Sequence, residues 1–514
     1  MKTNLFNWLL LAFVMLTSTN CSYGQPPAGG ENETEFPEVE GLVIFPAPPG
    51  LEASKDYQVY INGQKTFCYP TYRFNNNATA HVNSRPVSPL NYCYFDFLRN
   101  ATIRLELRDG IISDPAAVKI LPTSSGIVPT VKGNVIEFLL EKPRVVTIDP
   151  QGDGTNALHI FANYPEINAP KEGDTKVLYY GPGIHNVNKS IELKEGETLY
   201  IAGGAVLRCS PEATNEKSTV YDLSYATAKP AVKVAPGATI CGRGVISGIK
   251  AYSDLKRFNM IKGQWVDNVS VRDIILTDAS QWTVVFDDCE QVEIDNIKVL
   301  GYFTNSDGIC FASSRNCTTK NSFVHNADDA LEVKCWEKKP SQSITFSNCQ
   351  VWSDVGTPMG LTGEIENNVS NLIWRDITVI HYTAPLPAHG VETRGAILIK
   401  CPAGGNINNV TFENITIESI SSIKPVIHVS NEKINWGGDP FYMDKPYSAV
   451  SNVTFKNITA RTTGTSYPAP IVLIDKSDKN LIADIKMENI SIDGSLIKTS
   501  DERILNEGSH FEVK

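Results

Sequence analysis

The sequence predicts an all-β chain: a right-handed parallel β-helix, a solenoid, preceded by a small N-terminal β-sandwich. Three observations predict it. A unit of the form Asn-Val-Thr-Phe-x-Asn-Ile-Thr, rich in β-branched residues, returns along the second half of the chain. At 514 residues the chain is too long for one ordinary core, whereas each coil of a solenoid buries its apolar face only against its neighbours. Ahead of the repeats, short alternating strands are broken by Pro, Gly and Asn turns.

The repeat is explicit from Asn268-Val-Ser-Val-Arg-Asp-Ile-Ile onward. It continues at Gln291, Asn316, Gln342 and Asn371, and ends with Asn409-Val-Thr-Phe-Glu-Asn-Ile-Thr and Asn452-Val-Thr-Phe-Lys-Asn-Ile-Thr. Successive starts lie 23, 25, 26, 29, 38 and 43 residues apart. A period near 25 residues marks a solenoid. Inward Val, Ile and Phe alternate with outward Thr, Lys and Glu, as stacked strands require. An Asn at one corner of each coil can bond its counterpart in a ladder. Leucine-rich repeats are the main competitor, but their Leu-x-x-Leu-x-Leu frame is missing. The wider spacing after Asn371 predicts long inserted loops, of the kind that wall a binding groove. The Asn-x-Thr triplets fit glycosylation as well, but corner and strand chemistry accounts for them.

In the N-terminal region, Tyr57-Gln-Val-Tyr-Ile61 followed by Asn62-Gly63 reads as a hairpin. Ala101 to Leu107 alternates strictly, with Asp109-Gly110 as a turn. This predicts a sandwich over residues 41–165 and the helix over 166–514. Residues 25–40, rich in Gly, Pro and Glu, read as a linker. Residues 1–24 read as a signal peptide: Lys2, then an apolar run from Leu5 to Leu16, then small residues. The expectation is an exported protein, periplasmic, extracellular or at the cell surface. Cys21 offers the rival reading of a lipid anchor, against which Asn20 counts. No later stretch is long and apolar enough to span a bilayer.

Net charge is −11, which argues against nucleic acid as a partner and mildly against a polyanion. Of the eleven cysteines, Cys68 and Cys93 offer one possible disulfide. The rest lack metal-ligand spacing and read as small buried hydrophobes, so no metal or other cofactor is expected. A monomer is expected.

The chemistry concentrates in Asn305-Ser306-Asp307-Gly308-Ile309 and Asn326-Ala327-Asp328-Asp329-Ala330. The two motifs are close to one coil apart, which in a parallel solenoid makes them spatial neighbours at about 4.8 Å per strand. Three carboxylates then share one patch, and like charges this close raise at least one pKa. A protonated acid beside ionised partners is what glycosidic cleavage requires. Asp328 and Asp329 are adjacent, so both reach one patch only if the strand bends or turns there. Taken alone, Asp-Gly and Asp-Asp would mark turns.

These motifs resemble glycoside hydrolase families 28 and 49, the polygalacturonase-like and dextranase-like β-helix enzymes. Asp278-Ala-Ser-Gln-Trp282 resembles the segment before the site in both. Tyr179-Tyr-Gly-Pro-Gly-Ile-His185 and Leu199-Tyr-Ile-Ala-Gly-Gly-Ala-Val206 resemble the start of the helix in dextranase-like proteins, and a preceding sandwich is dextranase-like too. The resemblance covers roughly residues 145–460. It implies an inverting hydrolase that needs no cofactor, with Asp328 as general acid and Asp307 and Asp329 holding and deprotonating the attacking water.

The chain departs from polygalacturonases after the Asp pair. Where those carry Gly-His-Gly, this sequence reads Gly356-Thr-Pro-Met-Gly-Leu-Thr-Gly-Glu364, and Arg394-Gly-Ala-Ile-Leu-Ile-Lys400 replaces their Arg-Ile-Lys. Lys334, Arg394 and Lys400 are the candidates for reading a substrate carboxylate. Glu364 and Val379-Ile-His381 resemble the dextranase-like side. Asn305, His325, Glu364 and His381 join the expected substrate-binding residues, and so does Trp336, the best placed of Trp282, Trp336 and Trp352 to stack on a sugar. Two rival functions remain. A β-helix lyase would use clustered carboxylates for Ca²⁺ and an Arg or Lys as base. A non-catalytic carbohydrate-binding solenoid would be indifferent to Asp328→Asn.

Overall fold

Two five-stranded sheets precede the solenoid in the computed structural model, which describes residues 39–73, 88–217, 226–303, 305–336, 339–382, 394–421, 424–436, 439–463 and 470–514. The first sheet is ordered Gln64–Thr66, Tyr57–Ile61, Ala101–Leu107, Val135–Leu140, Thr130–Lys132. The second is ordered Tyr69–Arg73, Ser88–Asp96, Leu158–Asn163, Val145–Asp149, Lys119–Leu121. Alternation along Ala101–Leu107 buries Ala101, Ile103, Leu105 and Leu107 between them. The expected signal peptide, its rival acylation site at Cys21 and most of the linker lie outside the described residues. The end of the linker is already part of the sandwich, because the Glu40 N–H donates to the Arg99 carbonyl at 3.0 Å. Cys68 and Cys93 are separate buried thiols rather than a disulfide, packed as small hydrophobes in the sandwich core.

From Val177 the chain winds into the right-handed parallel β-helix. One wall is an eleven-stranded parallel sheet that includes Ile261–Gln264, Val284–Asp287, Ile309–Ala312, Leu331–Cys335, Met359–Ile365 and Ile397–Lys400 in that order. A twenty-stranded sheet forms the rest, with the long strands Val369–Tyr382, Ile407–Ser421 and Val450–Thr463 in the late coils. The repeat sequence explains itself here. Its first residue is left-handed in coil after coil: Asn268, Gln291, Asn316, Asn371, Asn409 and Asn452 have φ between 54° and 58°. Asn tolerates that conformation better than other side chains. The second Asn of the unit forms the ladder, with the Asn414 amide donating to Asp376 at 2.9 Å and Asn457 to Asn414 at 3.0 Å. Inside, Phe346, Trp374, Phe412 and Phe455 stack ring on ring, with centroids 4.8–5.4 Å apart.

The second sheet of the sandwich covers one face of the helix. Tyr69, Tyr92, Tyr94 and Phe161 pack there against Val245, Ile275, Phe323 and Trp352. Arg243 of the helix pairs with Asp96 of the sandwich at 3.0 Å, and Thr71 donates to Asp278 at 2.6 Å. The sandwich thus covers much of that face. Among the described residues no helix is long and apolar enough to cross a membrane.

Candidate active site

Asp307 and Gly308 lead directly into Ile309–Ala312, and Asp328 and Asp329 lead into the next strand of the same sheet, Leu331–Cys335. The register sets Ile309 beside Leu331. Asp307 is therefore the neighbour of Asp329, one residue further along than the Asp328 its spacing suggests. Gly308 is not a turn residue. A Cβ there would lie 2.5 Å from the Ala330 carbonyl oxygen, so glycine is needed for the two coils to approach. Gly356 does the same one coil later, where a Cβ would lie 2.2 Å from the Asp328 carbonyl carbon.

The adjacent acids share one side because residues 327–330 form a corner between strands, not a strand. The Asn326 amide clamps that corner, donating to the Ser306 carbonyl at 3.1 Å and the Asp329 carbonyl at 2.8 Å. One guanidinium nitrogen of Arg394 then meets both carboxylates, 2.9 Å from Asp329 and 3.7 Å from Asp328. The Thr357 N–H donates to Asp329 at 2.7 Å and the Asn305 N–H to Asp328 at 2.9 Å. Lys334 closes the other side, with its ammonium 3.6 Å from Asp307, 3.4 Å from Glu332 and 2.9 Å from Glu364. It also lies 4.2 Å above the centre of the Trp282 ring.

Electrostatics separate the acids. Burial, Glu332 and Asp328 push Asp307 well above the usual carboxylate range. Burial and the charge of Asp329 raise Asp328, while Arg394 and the Asn305 N–H pull it back. Burial raises Glu332 to about 7 despite Lys334. Burial also works against the charge of Lys334, but Glu332, Glu364 and Asp307 overcome it and keep the ammonium protonated. Asp328 is the most accessible of the three aspartates, its side chain 16% exposed against 3% for Asp307 and 5% for Asp329.

With this geometry in view, the chain can be set beside known proteins. Residues 188–509 match the profile of Glycosyl hydrolases family 28. The chain belongs to glycosyl hydrolase family 28. This family 28 chain is 24% identical to a polygalacturonase of Juniperus ashei over 48% of its own length and 45% of the juniper protein's. It is also 24% identical to rhamnogalacturonase A of Aspergillus niger over 62% of its own length and 65% of that protein's. The match thus spans less than two thirds of either relative. In fold it is similar to Dex49A from Penicillium minioluteum, with TM-score 0.64 and 14% identity over 92% of this chain and 96% of that one. A family 28 exopolygalacturonase of Yersinia enterocolitica aligns with TM-score 0.50 and 14% identity, over 93% of this chain and 97% of that one.

The structure brings Asp307, Asp328, Asp329, Asn305, Lys334, Glu364 and Arg394 of this family 28 chain together in one cluster. Asn305 acts through its backbone on Asp328, while its side chain accepts from Arg257 at 3.2 Å. Trp336 is close by, its ring parallel within 19° to Trp282 at 6.3 Å. Two expected binders are elsewhere. His325 is 1% exposed and faces the sandwich, bonded to His159 at 2.9 Å and Asp354 at 3.0 Å. Strand alternation turns it away from the groove that the corner three residues later enters. His381 lies against Trp352 and lines a cavity with Lys119, Asp149 and Glu418 on that same side. Trp352 is itself fully buried there. Glu332 was missed. It sits two places before Lys334 on the outward parity of Leu331–Cys335, where a charged residue in an apolar strand is the available signal.

Proposed function

We propose that this chain hydrolyses O-glycosidic bonds of a polysaccharide with inversion of configuration. Asp328 protonates the leaving oxygen. Asp329 deprotonates the attacking water, and Asp307, whose carboxyl burial pushes well above the usual range, helps to hold it. The observation that carries this reading is the differentiated carboxylate group: Asp328 is raised and is the most accessible of the three, Asp307 is raised but buried, and Asp329 is held by an arginine and a backbone N–H. An acid and a base of different environment on one patch is the general requirement for glycoside cleavage. The polysaccharide names of the relatives support the substrate class, and the apolar run within residues 1–24 supports export.

The lyase reading is less favoured. The cluster of Asp307, Asp329 and Glu332, whose oxygens lie within 4.8 Å of one another, could suit a cation. The ammonium of Lys334 already supplies positive charge to Asp307 and Glu332. The test is a panel of polysaccharides assayed for new reducing ends, with Asp328→Asn as control and the product anomer followed by NMR. Products absorbing near the ultraviolet edge in a calcium-dependent reaction would replace this reading with the lyase. Unaltered activity in Asp328→Asn would remove Asp328 from the mechanism.

A further inference from the structure

The corner that follows the eleven-sheet strands is left-handed in three successive coils, at Trp265, Asp288 and Ser313, with φ 56°, 51° and 48°. The register Gln264–Asp287–Ala312 makes these three positions equivalent. Short polar residues suit such a corner because they tolerate the conformation. A tryptophan does not, and a bulky residue at positive φ is a costly choice. Trp265 gains little packing in return, since it is 69% exposed. A residue that breaks the local rule without a structural gain is expected at a functional position.

Trp265 lines a cleft of about 320 Å³ whose other wall is Trp336. The lining also includes Asp287, Asp288, Glu366 and Lys339. Its lining residues come from five consecutive coils, about 19 Å at the strand spacing. Two tryptophans beside carboxylate acceptors suit a sugar, whose C–H faces stack while its hydroxyls donate. The cleft also connects to the acids: Trp336 stacks on Trp282, Trp282 lies over Lys334, and Lys334 contacts Asp307. Asp307 and Ser313 are six residues apart along one strand direction, or about 20 Å. A chain extending past the cleavage point would run from the acids, by way of Trp282 and Trp336, into the cleft.

Charge selects the sugar. Three carboxylates line the cleft against one ammonium; Asp288 is paired with Lys339 at 2.7 Å and with Arg315 at 3.6 Å, and Asp287 and Glu366 add two further carboxylates that a ligand would meet. A uronate carboxylate would meet net repulsion there, whereas a neutral hydroxylated ring would not.

We propose that the Trp265–Trp336 cleft is a distal binding site for a neutral segment of the polysaccharide. The identity of the occupant rests on the hydrolase reading above, but binding can be measured without hydrolysis. The experiment is affinity electrophoresis of the full chain carrying Asp328→Asn, in native gels cast with dextran, arabinogalactan, mannan or polygalacturonate. The parent should be retarded by at least one neutral polymer. Adding Trp265→Ala should weaken that retardation at least tenfold in apparent Kd, while Trp265→Phe, which keeps an aromatic face, should retain most of it. Thermal melting of both variants at the parental temperature establishes that the fold is intact. The proposal is overturned if Trp265→Ala is retarded like its parent. Retardation by polygalacturonate alone, or by none of the four polymers, also overturns it. An inactive wild type whose retardation is lost with Trp265 would refute the hydrolase reading and leave this one standing.

Discussion

The two faces of the β-helix near residue 325 both bury charged and polar groups, yet they use them in opposite ways. On the sandwich side, the buried lysine and histidine are each held by several partners. Lys298, fully buried, donates to the Asn163 side chain at 2.7 Å and to the Asn296 carbonyl and side chain at 2.8 and 2.9 Å, and burial lowers it to about 7. His325 is bonded on both ring nitrogens. On the groove side, three residues further on, buried oxygens of Asp307, Glu332, Ser306 and Thr357 have no hydrogen-bond partner. Unsatisfied buried acceptors are costly and rare. Asn91 Nδ2 and Gln350 Oε1 on the sandwich side are unpartnered too, so the contrast lies in the carboxylates gathered on one side against the multiply bonded Lys298 and His325 on the other.

Four measurements bear on that contrast. The largest effect is expected from Asp328→Asn. Loss of a general acid costs roughly 10²–10⁴-fold in rate, so kcat should fall by about 10³-fold. The melting temperature should barely move, because the side chain is partly exposed. A large loss of stability with activity retained would make the groove side structural and erase the contrast. Next comes Asp96→Ala across the interface. It takes from Arg243, whose side chain is 5% exposed, one of two carboxylates, with Asp273 remaining at 3.0 Å. Leaving a buried charge unpaired costs about 3–5 kcal/mol. With Asp273 in place, urea unfolding should show a loss at or below the lower end of that range, with KM for the substrate unchanged in whatever remains folded.

His325→Phe should cost about 1–3 kcal/mol, because His159 and Asp354 each lose a buried partner. KM should not change. A raised KM without loss of stability would return His325 to the substrate-binding residues that the sequence suggested.

The legibility of the molecule follows the same division. The solenoid was readable because its period is written in chemistry that backbone demands: Asn at left-handed corners, and β-branched and aromatic residues at inward positions such as Ile344, Phe346 and Trp374. The three aspartates were readable because they lie at one corner position of neighbouring coils. Spacing failed by one residue, since the register that pairs Asp307 with Asp329 depends on where each strand starts. The histidines were misplaced because sequence distance from an Asp pair does not say which face a side chain takes. His325 and Asp328 are three residues apart and look opposite ways. Glu332 stayed hidden because its significance comes from Thr362 and Asp307, brought in by two other segments, as well as from Lys334 on its own strand.

Glu332 gives the smallest effect and the sharpest test of the groove side. Its carboxyl is raised to about 7, chiefly by burial, with Thr362 donating to one oxygen at 2.6 Å. A group raised in the folded state binds its proton more tightly there than in the unfolded chain. Its stabilising contribution is therefore complete below the ordinary glutamate range near 4.5 and is lost as pH rises through about 7. Asp307, raised by burial and by Glu332, acts in the same direction. Melting temperature should accordingly fall as pH goes from 5 to 8, and Glu332→Gln should flatten that slope. The same substitution removes a like charge from beside Asp307, so the pH profile of kcat/KM should shift to lower pH. Identical slopes in wild type and variant would mean that Glu332 does not titrate in this window. Its charge would then be balanced by Lys334 at every pH, as Lys298 and His325 on the opposite face are held by their partners.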